Sequence, residues 1–125
     1  MDRQEAIDLI LDHYEHPRHR GRLTDPTFSG EGVNPGCGDV IRLDVRLDDQ
    51  NRIAEIAFDG QGCTISQAAA SLLTEMAEGQ PLVSVMGMDS SSLTDALGEQ
   101  IVNSRVACAT LALDVFKQAA QRSGR

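Results

Sequence analysis

Three cysteines and an aspartate stand where the chain passes from one kind of segment to another. Cys37 and Asp39 lie in residues 34–39, whose glycines let backbone N–H groups approach a sulfur or a metal closely. Cys63 directly precedes a segment with helical periodicity, and Cys108 falls in the first turn of the last predicted helix. The positive end of a helix favours the thiolate, the form of cysteine that binds metals and accepts sulfur. These residue types predict thiolate–metal or sulfur-transfer chemistry.

Each cysteine also has a purely structural interpretation. A cysteine on an apolar helix is usually a small core residue, and this is the commoner role for Cys108 taken alone. For Cys63 the two roles weigh equally, whereas the Gly-Cys-Gly-Asp loop around Cys37 favours function. None of the cysteines belongs to a Cys-x-x-Cys pair, so spacing alone gives no metal signal. The prediction of a site therefore depends on whether the fold brings the cysteines together.

The strands provide the first reason to expect that they meet. Alternating apolar and charged residues over 40–48 predict a half-buried antiparallel strand. Turn-forming residues follow, then a second strand over 52–58, and a weaker third strand is predicted over 27–33. The start of the first hairpin strand and the end of the second lie at the same end of a sheet, so we expect Cys37 and Cys63 to be neighbours.

Helical periodicity accounts for most of the remaining chain. The predicted helices cover residues 3–14, a segment that follows Cys63 and is ended by Gly79, and residues 81–86, 91–98 and 104–121. Thr64 or Ser66 is expected to cap the second of them. The order of elements predicts a single α+β domain over residues 1–125, a small three-stranded antiparallel sheet with helices packed on one face. If the last helix packs with its N-terminus at the hairpin's open end, Cys108 joins the other cysteines.

The joint site has a definite ligand chemistry. Three thiolates and one carboxylate suit a tetrahedral zinc ion or a small iron–sulfur cluster. Asp39 lies two residues from Cys37, which on an extended strand places both side chains on one face. A carboxylate is a harder, more exchangeable ligand for a soft ion than a thiolate, so the site suits release of its cargo. Arg105, one turn before Cys108, either donates hydrogen bonds to a thiolate or persulfide or is a surface arginine.

Composition excludes several classes of function. The net charge of −8 and the pI near 4.7 argue against a nucleic-acid-binding surface. No segment is apolar enough to span a membrane, and the chain begins with an amphipathic helix, so we expect a cytoplasmic, reducing location. Arg18, Arg20 and Arg22 form a basic patch, which is either a solvated loop or a docking spot for an acidic partner.

The histidines are weak candidates for a metal site. His13, His16 and His19 recur at every third position, but Pro17 ends the first helix between them. One shared helical face is therefore impossible, and a metal role for these histidines is not expected. No HExxH, P-loop, GxSxG or GxGxxG signature is present.

Four segments resemble the U-type iron–sulfur scaffold proteins, the family of SufU, IscU and the NifU N-terminal domain. They are Ile10-Leu11-Asp12-His13-Tyr14 with Pro17-Arg18 and Gly21, Asn34-Pro35-Gly36-Cys37-Gly38-Asp39, Gly60-Gln61-Gly62-Cys63-Thr64-Ile65-Ser66, and Arg105-Val106-Ala107-Cys108-Ala109-Thr110-Leu111-Ala112. The matches occur in the right order across nearly the whole chain, and the segments around the cysteines are jointly specific.

The resemblance implies a helix-flanked three-stranded sheet with the cysteines clustered at one end. It implies that Cys37, Asp39, Cys63 and Cys108 bind zinc or a transient [2Fe–2S] cluster, and that the cysteines are candidate acceptors of persulfide sulfur. A cysteine desulfurase of the SufS or IscS kind would be the sulfur donor, and a downstream apo-protein or cluster carrier the recipient. The protein would be a scaffold or sulfur carrier, at most a zinc-dependent sulfurtransferase.

Two departures from the family leave alternatives open. Ala107 stands where IscU-type proteins have His and SufU-type proteins usually have Lys, and the SufU-type insertion before Arg105 is missing. Scaffold and sulfur shuttle therefore both remain. Two further classes are a structural zinc domain that serves as an interaction adaptor, and a thiol enzyme with Cys63 as nucleophile. The last is weakened because no histidine base is placed beside Cys63.

Overall fold

The computed structural model describes residues 1–124, and Arg125, the last residue of the predicted domain, lies outside the described residues. One antiparallel sheet has the strand order β1 (Phe28–Asn34), β2 (Asp39–Leu47) and β3 (Ile53–Gln61). The helices are α1 (Arg3–Glu15), α2 (Thr64–Ala77), α3 (Leu82–Met86), α4 (Ser91–Leu97), α5 (Glu99–Val102) and α6 (Val106–Arg122). The predicted α+β class with a three-stranded antiparallel sheet is confirmed.

The differences from the predicted elements are small and have physical causes. α5 was not predicted, because a single turn of four residues is too short to show a helical period. α6 begins at Val106 and not at residue 104, since Arg105 has non-helical backbone angles. Within residues 1–124, no helix combines the length and apolarity needed to cross a membrane.

One face of the sheet carries the core. Ile41, Leu43 and Val45 alternate along β2 and are at most 1% exposed. α2 and α6 pack on the sheet and on each other, and α1 packs on the outer side of α2. The two helices that begin near the cysteines are therefore held by the same core that holds the strands.

Glycines in β1 determine how closely α6 approaches the sheet. A Cβ atom on Gly30 would lie 2.6 Å from Cβ of Ala119, and one on Gly32 would lie 2.6 Å from a methyl group of Val115. Either distance is well inside van der Waals contact, so a side chain there would push the helix away. These glycines weakened the sequence signal for the strand, yet they allow α6 to lie directly on it.

The opposite face of the sheet is partly covered by the loop that precedes β1. Asp44, which the alternation along β2 places on the polar face, is only 1% exposed. Its carboxylate accepts hydrogen bonds from Ser29 Oγ at 2.7 Å, the Leu23 N–H at 3.0 Å and Arg22 Nε at 3.1 Å. Burial raises the pKa of Asp44, but these hydrogen bonds outweigh it and lower the pKa overall. The carboxylate thus fastens the loop to the sheet.

The arginines of the basic patch also hold the loop before β1 against its surroundings. Arg18 donates to Asp12 at 2.7 Å, Arg20 donates to the carbonyl of Gly60 at 3.0 Å, and Arg22 contacts Asp44. The guanidinium groups remain partly exposed. The patch therefore ties the loop to its surroundings, and docking of an acidic partner on it stays a prediction.

A buried histidine joins α1 to α2. His13 is 2% exposed, and its Nδ1 lies 2.8 Å from Ser71 Oγ. The Ser71 hydroxyl accepts the Arg18 N–H, also at 2.8 Å, which leaves its own proton for His13. His16 is exposed and His19 faces Glu78 at 3.6 Å, so the histidines contact different partners. Burial, and secondarily the Arg18 charge, lower the pKa of His13.

We predict a pH dependence of stability from His13. Because the folded pKa lies below the ordinary value of about 6.5, the unfolded chain takes up the proton first. The stabilisation is complete above that value and is lost as the pH falls towards the folded pKa. In urea titrations between about pH 8 and pH 5, the free energy of unfolding should fall more steeply in wild type than in His13→Gln. His16→Gln, at an exposed position, should keep the wild-type slope; equal slopes for both variants would contradict the prediction.

Candidate metal centre

The candidate site lies at one end of the sheet, where two strands end and one begins. Antiparallel pairing places Asn34 opposite Asp39 and Val40 opposite Gln61, so the end of β1, the start of β2 and the end of β3 are neighbours. α2 starts three residues after β3, and α6 packs against β1 with its N-terminus at the same end. The structure thus brings Cys37, Asp39, Cys63 and Cys108 together.

Cys37 occupies a tight turn between β1 and β2. Its N–H donates to the carbonyl of Asn34 at 3.1 Å, and Gly38 reverses the chain with φ +70°, in the left-handed region. We predicted that Cys37 and Asp39 lie on one face of a single extended strand. This is wrong, because Cys37 lies in the turn and not in β2. The two side chains still converge, and the Cys37 thiol is exposed.

Asp39 is fully buried at the centre of the site. Its Oδ1 accepts the Cys63 N–H at 2.8 Å and the Ser66 hydroxyl at 3.1 Å. Its Oδ2 lies 3.4 Å from the amide nitrogen of Asn34 and 3.9 Å from the Cys63 sulfur. Burial raises the pKa of Asp39, but the hydrogen bond from the Cys63 backbone and those from the Cys108, Ser66 and Cys63 side chains lower it below its usual range. A carboxylate anion is therefore available as a ligand at neutral pH.

Cys63 is the N-cap residue of α2. Its sulfur accepts the backbone N–H of Ser66 at 3.4 Å. The prediction that Thr64 or Ser66 caps this helix is wrong, because the Ser66 hydroxyl donates instead to Asp39 and to the Cys63 carbonyl. The Cys63 thiol is partly exposed, at the positive end of a helix of 14 residues.

Cys108 is the buried thiol of the site, with 1% exposure in the first turn of α6. Its sulfur lies 3.3 Å from the Cys37 sulfur and 3.4 Å from the Asn34 amide nitrogen. Burial, with the hydrogen bonds to Cys37 and Asp39, raises the pKa of Cys108 well above its ordinary value. The expectation that the field of the helix favours a thiolate here is thus outweighed by burial. A metal would have to displace this proton.

Arg105 brings a positive charge to the mouth of the site. Its Nη1 lies 3.8 Å from the Cys37 sulfur, and the charges of the Cys37 and Cys63 thiolates raise its pKa. Together with Cys37, Cys108 and the residues beside them, Arg105 lines an open cavity of about 590 Å³. Of the two roles considered for Arg105, contact with a thiolate is the one this geometry favours.

The donor atoms suit a soft metal ion. One atom each from Cys37, Asp39 and Cys108 lie within 4.8 Å of one another. The Cys63 sulfur lies beside this triple, 3.9 Å from Asp39. Two sulfurs and an ionised oxygen thus lie close together with a third sulfur beside the oxygen, a donor set that fits zinc or a small iron–sulfur cluster by ligand type. The metal itself stays a prediction.

Two residues that support the site were not singled out from the sequence. Asn34 starts the turn that carries Cys37 and directs its amide towards Asp39 and Cys108. Ser66 was considered only as a helix cap, whereas it orients Asp39. The position of Asn34 directly before Pro-Gly-Cys was the available signal, since Asn at the start of a turn often makes local hydrogen bonds. Its contact with Cys108 depends on the packing of α6 and has no local signal.

Comparison with known proteins gives a consistent result. The family model described as NifU-like N terminal domain matches residues 5–123. The zinc-dependent sulfurtransferase SufU of Bacillus subtilis is 35% identical over 120 residues, covering 82% of this chain and 80% of that protein. The iron–sulfur cluster assembly scaffold protein IscU of Haemophilus influenzae is 34% identical over 116 residues, covering 90% of each.

Among solved structures, the N-terminal part of a nitrogen-fixing NifU-like protein from Brucella abortus has the same fold. It superposes with a TM-score of 0.76 at 15% identity, covering 95% of this chain and 97% of that one. At this identity the likeness concerns the fold alone.

We predict that Gly62→Ala damages the site through Asp39. Gly62 has φ +144°, and a Cβ atom there would lie 2.2 Å from Asp39 Oδ1. The carboxylate must move, so we expect a loss of about 1–3 kcal/mol in the free energy of unfolding and weaker zinc retention against a chromophoric chelator. Gly36→Ala is the matched control, since its Cβ would meet nothing closer than 3.7 Å. Equal zinc retention by the two variants would contradict the prediction.

Proposed function

Since this chain belongs to the family of NifU-like N-terminal domains, we propose that it is an iron–sulfur cluster assembly protein that receives sulfur at its Cys₃Asp site. The proposal is carried by the close grouping of Cys37, Cys108 and the buried Asp39, with the Cys63 sulfur beside Asp39. The Cys37 thiol of this group is exposed and lies beside an arginine. Sulfur arrives as persulfide and is then passed on or combined with iron.

Cys37 is the first acceptor of sulfur in this proposal. It is the exposed thiol of the three, and its turn projects into the open cavity. A persulfide donor approaching from solvent meets Cys37 before Cys63 or the buried Cys108. Arg105 supports the reaction, because its guanidinium stabilises the attacking thiolate and the persulfide anion that forms.

A resident metal would be held by Cys37, Asp39, Cys63 and Cys108. Zinc bound there would keep the thiols deprotonated. Without a metal, the raised pKa of Cys108 leaves that thiol protonated. Asp39 is held in place by the Cys63 N–H and the Ser66 hydroxyl whether or not a metal is bound. The exposed position of Cys37 lets it leave a metal without unfolding the turn.

The sulfur donor that we propose is a cysteine desulfurase of the SufS or IscS kind, and the recipient is a downstream apo-protein or cluster carrier. The support is chemical: a free, exposed thiol beside a cation is suited to attack an enzyme persulfide. A cytoplasmic location stays a prediction from the free thiols and the reducing chemistry they need.

The second candidate function is a structural zinc domain acting as an adaptor. Burial of Asp39 and Cys108 favours it, because structural zinc sites are closed. Exposure of Cys37 at the mouth of a cavity favours exchange instead. The two proposals differ in whether the site takes up sulfur.

We predict that a cysteine desulfurase with cysteine transfers sulfur to Cys37. Mass spectrometry after alkylation of the anaerobic reaction should show a gain of one sulfur on the peptide containing Cys37. Cys37→Ser should abolish this gain, and Arg105→Gln should slow it, by about tenfold for the loss of one charge-assisted contact. Arg122→Gln is the matched control, an exposed arginine at the far end of α6. Zinc that is held tightly while no desulfurase of either kind transfers sulfur would favour the adaptor and sink the proposal.

We predict that two substitutions of Asp39 separate its roles. Asp39→Asn keeps an oxygen to accept the Cys63 N–H but lacks the charge, so it should lose less stability than Asp39→Ala while zinc retention weakens by at least about tenfold. Asp39→Ala also leaves the Cys63 N–H unpaired, which costs about 1–3 kcal/mol. Chelator competition and urea unfolding measure the two effects. Wild-type zinc retention in Asp39→Asn would show that the carboxylate is not a ligand.

A further inference from the structure

We propose that Cys108 is a resolving thiol: in the metal-free site it attacks a persulfide on Cys37, forms a Cys37–Cys108 disulfide and releases sulfide. The inference rests on the proposed function, because it supposes that sulfur reaches Cys37. It adds an activity to the site, the conversion of persulfide sulfur into free sulfide, without any further protein in the chemical step.

The geometry of the two thiols supports this step. Their sulfur atoms are 3.3 Å apart, within reach of thiol–disulfide exchange. Cys37 is exposed to solvent, whereas its neighbour Cys108 is only 1% exposed. Cys37 and Cys108 both line the open cavity, so a sulfur atom added to Cys37 has space there while Cys108 stays next to the inner sulfur.

Other contacts favour Cys108 over Cys63 as the attacking thiol. The Asn34 amide lies 3.4 Å from the Cys108 sulfur and fixes it on the inner side of Cys37. Cys63 instead contacts Asp39 and the N-terminus of α2, and it is not part of the closely spaced group that contains Cys37, Asp39 and Cys108. The pairing expected is therefore Cys37 with Cys108.

The step balances without an added oxidant or reductant. The Cys108 sulfur forms a bond to the inner sulfur of the Cys37 persulfide, and the bond between inner and outer sulfur breaks. The outer sulfur takes the electron pair and is reduced to hydrosulfide, while the Cys108 sulfur is oxidised and the inner Cys37 sulfur keeps its oxidation level in the new disulfide. The Cys108 thiol, which burial keeps protonated, gives its proton to the persulfide anion as it attacks, so the outer sulfur leaves as hydrosulfide, and Arg105, 3.8 Å from the Cys37 sulfur, stabilises the departing anion. A small dithiol reductant returns the disulfide to two thiols.

Metal binding would suppress this step, because a sulfur lone pair engaged with a metal is not free to attack. The same chain then has two outcomes for incoming sulfur. With Cys108 bound to a metal, the persulfide persists and can be handed on; with Cys108 free, sulfide is released where iron can combine with it.

The test loads sulfur chemically, so that it does not depend on a desulfurase. Metal-free Cys63→Ser, which keeps both reacting thiols, and Cys63→Ser/Cys108→Ser are treated anaerobically with inorganic polysulfide and desalted. Sulfide release and protein mass are then followed. Cys63→Ser should release about one sulfide per persulfide and gain the disulfide, whereas the double variant should retain its Cys37 persulfide at least about tenfold longer.

The wild-type protein provides a measurement that needs no variant. Trypsin places the three cysteines in separate peptides, residues 23–42, 53–105 and 106–117. A non-reducing digest of the loaded protein should contain peptide 23–42 linked to peptide 106–117.

Three results would overturn the inference: equal persulfide lifetimes in the two variants, sulfide release without the Cys37–Cys108 link, or a link from Cys37 to Cys63 in the wild type. Failure of Cys37 to take sulfur from polysulfide would also overturn it. If polysulfide loads Cys37 and sulfide is released as expected, but no desulfurase transfers sulfur to the protein, the proposed function is contradicted. The inference about the Cys37–Cys108 pair would then still hold.

Discussion

A carboxylate without solvent exposure lies where the strands and helices of this protein meet. Asp39 begins β2, and its oxygen atoms accept hydrogen bonds from the N-terminus of α2 and from Asn34 at the end of β1. An ionised group is costly to bury unless several donors surround it, so the segments that carry those donors must stay together. The same donors fix the carboxylate as a ligand before any metal arrives. Folding of this end of the sheet and assembly of the site are thus one event.

The thiols around this carboxylate are unequal, and the inequality comes from the elements that carry them. Cys37 lies in a turn and is exposed, Cys63 caps a helix, and Cys108 is buried against the core. Exposure favours exchange with a partner, whereas burial favours the protonated thiol and retention. A site of three equivalent cysteines would hold a metal well but would have no directed path for sulfur. The fold therefore gives chemically identical side chains different roles.

The sequence was sufficient for the sheet and for the expectation that Cys37 and Cys63 lie at the same end of it, because alternation and turn residues are local signals and antiparallel pairing then determines which ends meet. It was not sufficient for the surroundings of Cys108. Whether that residue faces Cys37 depends on where α6 lies on β1, and the glycines that decide this interrupt the strand pattern. Burial of Asp44 under the preceding loop was missed because it depends on a contact distant in sequence. The capping role of Cys63 is a local contact, but the hydroxyl residues Thr64 and Ser66 were the expected caps at this helix start.

The contact between β1 and α6 has a mechanical consequence. Because Gly30 packs against the Ala119 side chain and Gly32 against the Val115 side chain, with no space for a Cβ on either glycine, α6 is prevented from sliding along its own axis. A shift by one residue would translate the helix by about 1.5 Å and bring a different side chain against each glycine. The separation of the Cys37 and Cys108 sulfurs is therefore set in part by steric contacts about two to three helical turns away from Cys108. Volume added at Ala119 would change the reactivity of a thiol pair that it never touches.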